Sequence, residues 1–149
     1  MKTVPPNVEL LKLAEALESV MPRWVILPQA SRLTSTAWNG NARSTTAATK
    51  IDMSAVFGTP ANIDAVLLRV GARDSGSAAG SAAAYIQFDN AAPDTTSACV
   101  RPGGMANDMI VDAEITVPTD TDGDIYYACT ASGTNTLDVW LLVNGYHLR

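Results

Sequence analysis

Three carboxylates stand at alternate positions in VPTDTDGDIYY, residues 117–127: Asp120, Asp122 and Asp124, with Gly123 before the last. Acids at this spacing are what a calcium loop uses, because a hard divalent cation takes its ligands from oxygen. An EF-hand loop needs its glycine after the third acid and a bidentate glutamate six positions beyond it. Here Gly123 comes one place early, and position 129 is Cys129. The stretch reads better as the corner between two strands. Pro118 closes one strand, Asp122-Gly123 supplies the positive φ, and Ile125-Tyr126-Tyr127 opens the next. The alternative is a calcium ion held by Asp120, Asp122 and Asp124 between subunits.

Catalytic chemistry finds little support. The chain has one histidine, His147, two residues from its end, so a serine or cysteine nucleophile has no further imidazole as its base. His147 is expected to meet solvent or a neighbouring chain. Gly76-Ser77-Ala78-Ala79-Gly80 has its serine one place early for a nucleophile elbow. The acids read as turn or strand-face residues, and no glycine-rich phosphate loop opens onto a helix. The expectation is a protein that is not an enzyme and carries no cofactor.

Of the three tryptophans, Trp140 lies mid-strand and is expected in the core or in a subunit interface. Trp38 adjoins Asn39-Gly40, read as a turn. Trp38, Asn39 and Asn41 could stack on and hydrogen-bond a sugar, but the preferred reading has the Trp38 ring packing down over a hairpin.

These residues sit on a chain of 149 residues, enough for one domain with a substantial core. The net charge of −5 and pI near 4.6, with basic residues scattered singly, argue against a nucleic-acid partner. No run of about 20 apolar residues exists to span a bilayer, and the N-terminus shows no signal-peptide pattern. Charged residues make up only 17% and apolar ones 47%, which implies that part of the surface is covered by copies of the chain or by a partner. Cys99 and Cys129 lack a metal-type spacing. They are read as two buried reduced thiols, with a disulfide between neighbouring strands as the alternative.

Residues 1–22 read as a helical anchor and 23–149 as a β-sandwich domain. In PPNVELLKLAEALESVMPRW, Asn7 suits the N-cap, and Leu10, Leu13, Leu17 and Val20 form a narrow apolar seam. Pro22 stops the helix. The seam is too short for a coiled coil and is read as an attachment surface rather than a lid.

Beyond Pro22, turn signals recur at Asn39-Gly40, Ser75-Gly76, Pro102-Gly103-Gly104, Asp122-Gly123 and Ser132-Gly133. Between them run STTAATKIDMS, NIDAVLLRVGARDS, AAAYIQFD, NDMIVDAEITV, DIYYACTA and LDVWLLVNGYHL. Val66, Leu68 and Val70 face one way and Arg69 and Arg73 the other; Ile86 and Phe88 alternate with Tyr85 and Gln87. AVFGTPANID reads as a crossover with Phe57 filling a gap, and DSGSAAGSAAA as a surface loop. The fold class is all-β: an antiparallel β-sandwich or jelly roll of about seven or eight strands, none separated by a helix, with one N-terminal helix.

The phrases LTSTAWNGNARSTTAATKIDMSAVFGTPANIDAVLLRVGARDSGSA and DGDIYYACTASGTNTLDVWLLVNGYHL resemble small β-sandwich domains of bacteriophage virion proteins. The similarity covers roughly residues 33–148 and leaves the helix outside. It implies a protein that binds other virion proteins on the particle surface, as a tail-fibre or appendage module with a host-surface glycan as a further partner. The few charges and the short helical seam add the expectation of a homo-oligomer, a trimer foremost. A capsid decoration protein is the alternative. Synthesis in the host cytoplasm followed by assembly into the virion is the location implied.

Overall fold

A computed structural model describes residues 7–77, 84–104 and 108–149. Helix α1 runs over Asn7–Val20. Nine strands follow: β1 (Arg23–Ile26), β2 (Leu33–Arg43), β3 (Thr46–Ile51), β4 (Ile63–Asp74), β5 (Tyr85–Asp89), β6 (Ala98–Val100), β7 (Val111–Pro118), β8 (Ile125–Thr130) and β9 (Leu137–Leu148). A short helix α2, Met53–Phe57, separates β3 from β4.

The strands form two antiparallel sheets. One has the order β2-β9-β4-β7, with β1 continuing the β2 edge along the last residues of β9. The other has the order β3-β8-β5-β6. Apart from the β1–β2 link and the β5–β6 hairpin, every connection after β1 crosses from one sheet to the other. This is the jelly-roll arrangement, which joins antiparallel strands through corners and buries one face of each sheet.

The alternation expected of the strands is what fills the interlayer core. Val66, Leu68 and Val70 of β4, Ile86 and Phe88 of β5, and Leu137, Val139 and Val143 of β9 are all fully buried. Ile125, Tyr127 and Cys129 of β8 lie beside Ile86 and Phe88 on the second sheet and join the same core. Cys129 pairs in register with Ile86, whereas Cys99 pairs with Gln87 on the opposite face of the same sheet. Both thiols are free, but only Cys129 is buried as expected; Cys99 is exposed, because its place on β6 turns it to the outer face. A side chain's face alternates along a strand, so a disulfide between them is excluded by the pleat.

Several expectations change. The sandwich has nine strands, because RWVI (β1), LTSTAWNGNAR (β2) and ACV (β6) also pair. Asn39-Gly40 is not a turn: both lie within β2, where Gly40 takes φ 80° in a bulge. A helix does intervene between strands. Asp52 Oδ1 caps α2 by accepting from Ala55 N at 2.8 Å, and Gly58 ends it in the left-handed region. Phe57, at the end of α2, fills the core as expected. The DSGSAAGSAAA loop falls largely outside the described residues, as does the start of NDMIVDAEITV.

Candidate functional site

The three acids of the opening motif do converge, with ligand oxygens within 4.8 Å of one another. A cation of the chain already stands among them. Lys50 Nζ, from β3, lies 2.9 Å from Asp120 Oδ2, 3.0 Å from Asp124 Oδ2 and 3.3 Å from Asp122 Oδ2. An ammonium has three protons to donate, and each carboxylate takes one. This raises the lysine pKa above its ordinary value, the hydrogen bonds to Asp120 and Asp124 being the main causes.

The carboxylates also serve the backbone. Asp120 Oδ1 accepts from the N–H groups of Asp122 at 2.9 Å and Asp124 at 3.0 Å. Burial works against ionisation of Asp120, but these N–H groups and Lys50 outweigh it and hold its carboxyl below the usual range. Asp124 Oδ1 accepts from Met53 N at 2.9 Å, which pins the start of α2. The Arg149 guanidinium donates to the carbonyls of Thr121 and Asp120. Gly123 has φ 86°, and a Cβ there would come within 2.6 Å of the Ala61 carbonyl oxygen. The motif is thus the β7–β8 corner between the two sheets, clamping β3, α2 and the chain end.

Trp38 is 4% exposed and belongs to the core. Its ring meets Tyr127 edge-to-face at 4.9 Å, and the Arg43 guanidinium lies 3.5 Å from its centroid. Asn39 and Asn41 are exposed on the same strand. Trp38 and Asn39 border a pocket of about 290 Å³; Asn41 is not part of its lining.

That pocket lies on the outer face of the β2-β9-β4-β7 sheet and turns on a residue expected to be buried. Trp140 is half-buried on this outward face and is not a core residue, which corrects the first of the two places expected for it, core or subunit interface. Its phase along β9 explains why: Leu137, Val139 and Leu141 point inward, so Asp138, Trp140 and Leu142 point out. Cross-strand register sets Asp112, Gly71, Trp140 and Asn39 in one row.

Irregular pairing of β2 opens the pocket's wall. Thr34 pairs with Leu142 and Asn39 with Trp140, so five steps along β2 answer two along β9, and the surplus residues are left out of the ladder. One further surplus residue, Gly40, sits against the indole. A Cβ at Gly40 would fall 2.6–2.8 Å from three atoms of the Trp140 ring.

His147 Nδ1 lies 2.6 Å from Asp64 Oδ1, and its ring meets Trp24 at 5.4 Å. These contacts join the end of β9 to β4 and β1.

On α1, Leu10, Leu13 and Leu17 are 64%, 57% and 51% exposed. The Val20 side chain, the fourth member of the seam, lies outside the described residues, as does that of Asn7. Leu11, Met21, Trp24 and Ile26 are likewise exposed. Among the described residues, no helix is long and apolar enough to cross a membrane.

Searches against models of known protein families and against curated proteins found no match.

Proposed function

We propose that the protein is a non-enzymatic structural component of a bacteriophage particle surface, a homo-oligomer built on the jelly roll and attached to other virion proteins through α1. A tail-fibre or appendage module is the form this takes. The observation that supports it is the exposure of the large apolar side chains Leu10, Leu13 and Leu17 of α1, with Met21, Trp24 and Ile26 exposed after it. A helix of 14 residues is marginal in water on its own and needs something to pack against. Burying each leucine would contribute about 1.5–3 kcal/mol, enough to order and hold the helix on a partner. Three copies would present three such helices, and linked sites gain through effective concentration. The jelly roll is in keeping with this role, since the same architecture serves viral capsid and lectin domains. The resemblance of residues 33–148 to phage virion modules points the same way.

The test is removal of residues 1–21. The truncated chain should keep its β-body folded and oligomeric by circular dichroism and light scattering, yet fail to enter the particle. Unfolding would make the helix a lid on the core, and a monomer would make it the oligomerisation element; either result overturns the attachment role. Copy number in purified particles then places the protein: a handful fits a tail appendage, and hundreds fit capsid decoration.

A further inference from the structure

The outer-face pocket is built as a trough. Gly71 forms its floor between Asp112 on β7 and Trp140 on β9, and any larger residue would fill the space between them. The indole is the apolar wall. Asp112 and Arg69 supply polar groups on the opposite side, 3.5 Å apart and each 52% exposed in its side chain. Thr34 and Asn39, both exposed, edge the trough from the bulged β2. Arg73, two residues from Gly71 on the side away from Arg69, lies 5.8 Å from the indole centroid and is engaged by Asp138.

We propose that this trough binds a single neutral pyranose ring, stacked by its C–H face on Trp140 with its hydroxyls bonded to Asp112, Arg69 and Asn39. Each part of that description has its reason in the site. A partly exposed indole offers an apolar face with fixed orientation, held here against Gly40. A carboxylate that accepts and a guanidinium that donates match hydroxyls, which do both. The charged side chains lining the trough balance, Arg69 facing Asp112, and Arg73 beside them is engaged by Asp138. An anionic or cationic ligand would therefore meet a like charge at one end. The volume of about 290 Å³ is at the lower end for small-molecule sites, near 300 Å³, and so suits one ring. The inference is independent of how the chain is attached to a particle.

The chain's three tryptophans give three indole N–H signals, so an NMR titration of the full-length protein labelled with ¹⁵N reads the site directly. The probes are the methyl glycosides of glucose, galactose, mannose and N-acetylglucosamine. At least one should shift the Trp140 indole signal saturably, with a dissociation constant on the order of 1 mM. Gly71→Ala should weaken that binding about tenfold or more. Its Cβ would meet Trp140 atoms at an ordinary 3.5 Å and the exposed Asp112 carboxylate at 3.2 Å, a contact that a small side-chain rotation relieves, so the fold is retained while the floor is raised. Asp112→Ala, at an exposed position, should weaken binding without disturbing the rest of the spectrum. Absence of a saturable shift with all four glycosides overturns the proposal. So does binding that survives both substitutions, because the sugar would then lie elsewhere.

Discussion

Lys50 Nζ stands 3.0 Å from Asp124 Oδ2 and 2.9 Å from Asp120 Oδ2, in the position a divalent cation would take among the three carboxylates. A positive charge is required there, since like charges this close repel. The wild-type melting temperature should accordingly be the same in EDTA and in calcium. Lys50→Met leaves the acids without their counter-ion. This variant should melt a few degrees lower and regain the loss when calcium is added, because an ion bound only by the folded state stabilises it. Scanning fluorimetry of both proteins in EDTA and in calcium measures this. A calcium-dependent shift in the wild type would show that Lys50 yields the site to metal.

Asp74, 1% exposed at the end of β4, organises the loop at the far end of the sandwich. It accepts from Gly76 N at 2.9 Å, Ser132 N at 3.0 Å and Thr136 Oγ1 at 3.2 Å, and from Ser132 Oγ. Burial favours the neutral acid, but these donors outweigh it and lower the pKa from its ordinary 3.8. When the folded-state pKa is the lower one, the unfolded chain takes up the proton first. The stabilisation is therefore complete above about pH 4 and is lost as pH falls through the folded value. Lys50 acts at the other end: its raised pKa stabilises the fold below its ordinary 10.5, and that is lost as pH climbs beyond it. Urea melts across pH should show the acid limb flattened in Asp74→Asn. Asp74→Ala, which strands several donors, should cost about 1–3 kcal/mol at neutral pH.

Trp38→Ala should cost about 3–5 kcal/mol, as truncation of a fully buried aromatic does. Arg43 and Tyr127 would lose the ring they pack against. Chemical denaturation gives the value. A variant as stable as the wild type would show that β2 does not close the core.

How much of this was legible in the sequence follows from how local each feature is. Period-two alternation announces β4, β5 and β9, because Val66, Leu68, Val70, Ile86 and Phe88 point to one side only. The same rule applied to LDVWLLVN would have placed Trp140 outward, in phase with Asp138 and out of phase with Leu137 and Val139. Strand β2 escapes the rule. Its surplus residues between Thr34 and Asn41 break the alternation, and the positive φ of Gly40 serves a bulge where a turn was expected. Lys50 and Asp120 are brought together by the pairing of β3 with β8, which no local pattern encodes. Helix α2 did carry a signal, Asp52 at one end and Gly58 at the other, but five residues are too few for a helical period to show.

The thiols offer a chemical check on the second sheet. Cys99 is exposed and Cys129 is 2% exposed, on opposite faces. One thiol should react quickly with a disulfide reagent in the native protein and the other only on unfolding. Two fast thiols, or a mass two protons short from an internal disulfide, would contradict the registers of β5, β6 and β8.

The exposed leucines of α1 separate stability from association. Leu10 and Leu17 are each more than half exposed, so neither contributes much to the fold of an isolated chain. Replacing both with aspartate should leave the melting temperature of the β-body within a degree or two, as surface substitutions generally do. On a partner's surface the same carboxylates would have to be buried without counter-charge, at a cost of several kcal/mol. Particle incorporation by Leu10→Asp/Leu17→Asp should therefore fall below detection while light scattering still reports the wild-type oligomer. A doubly substituted chain that incorporates normally would show that the seam is not the attachment surface. One that melts many degrees lower would show instead that the helix folds back onto the sandwich, and that the leucines are covered in solution.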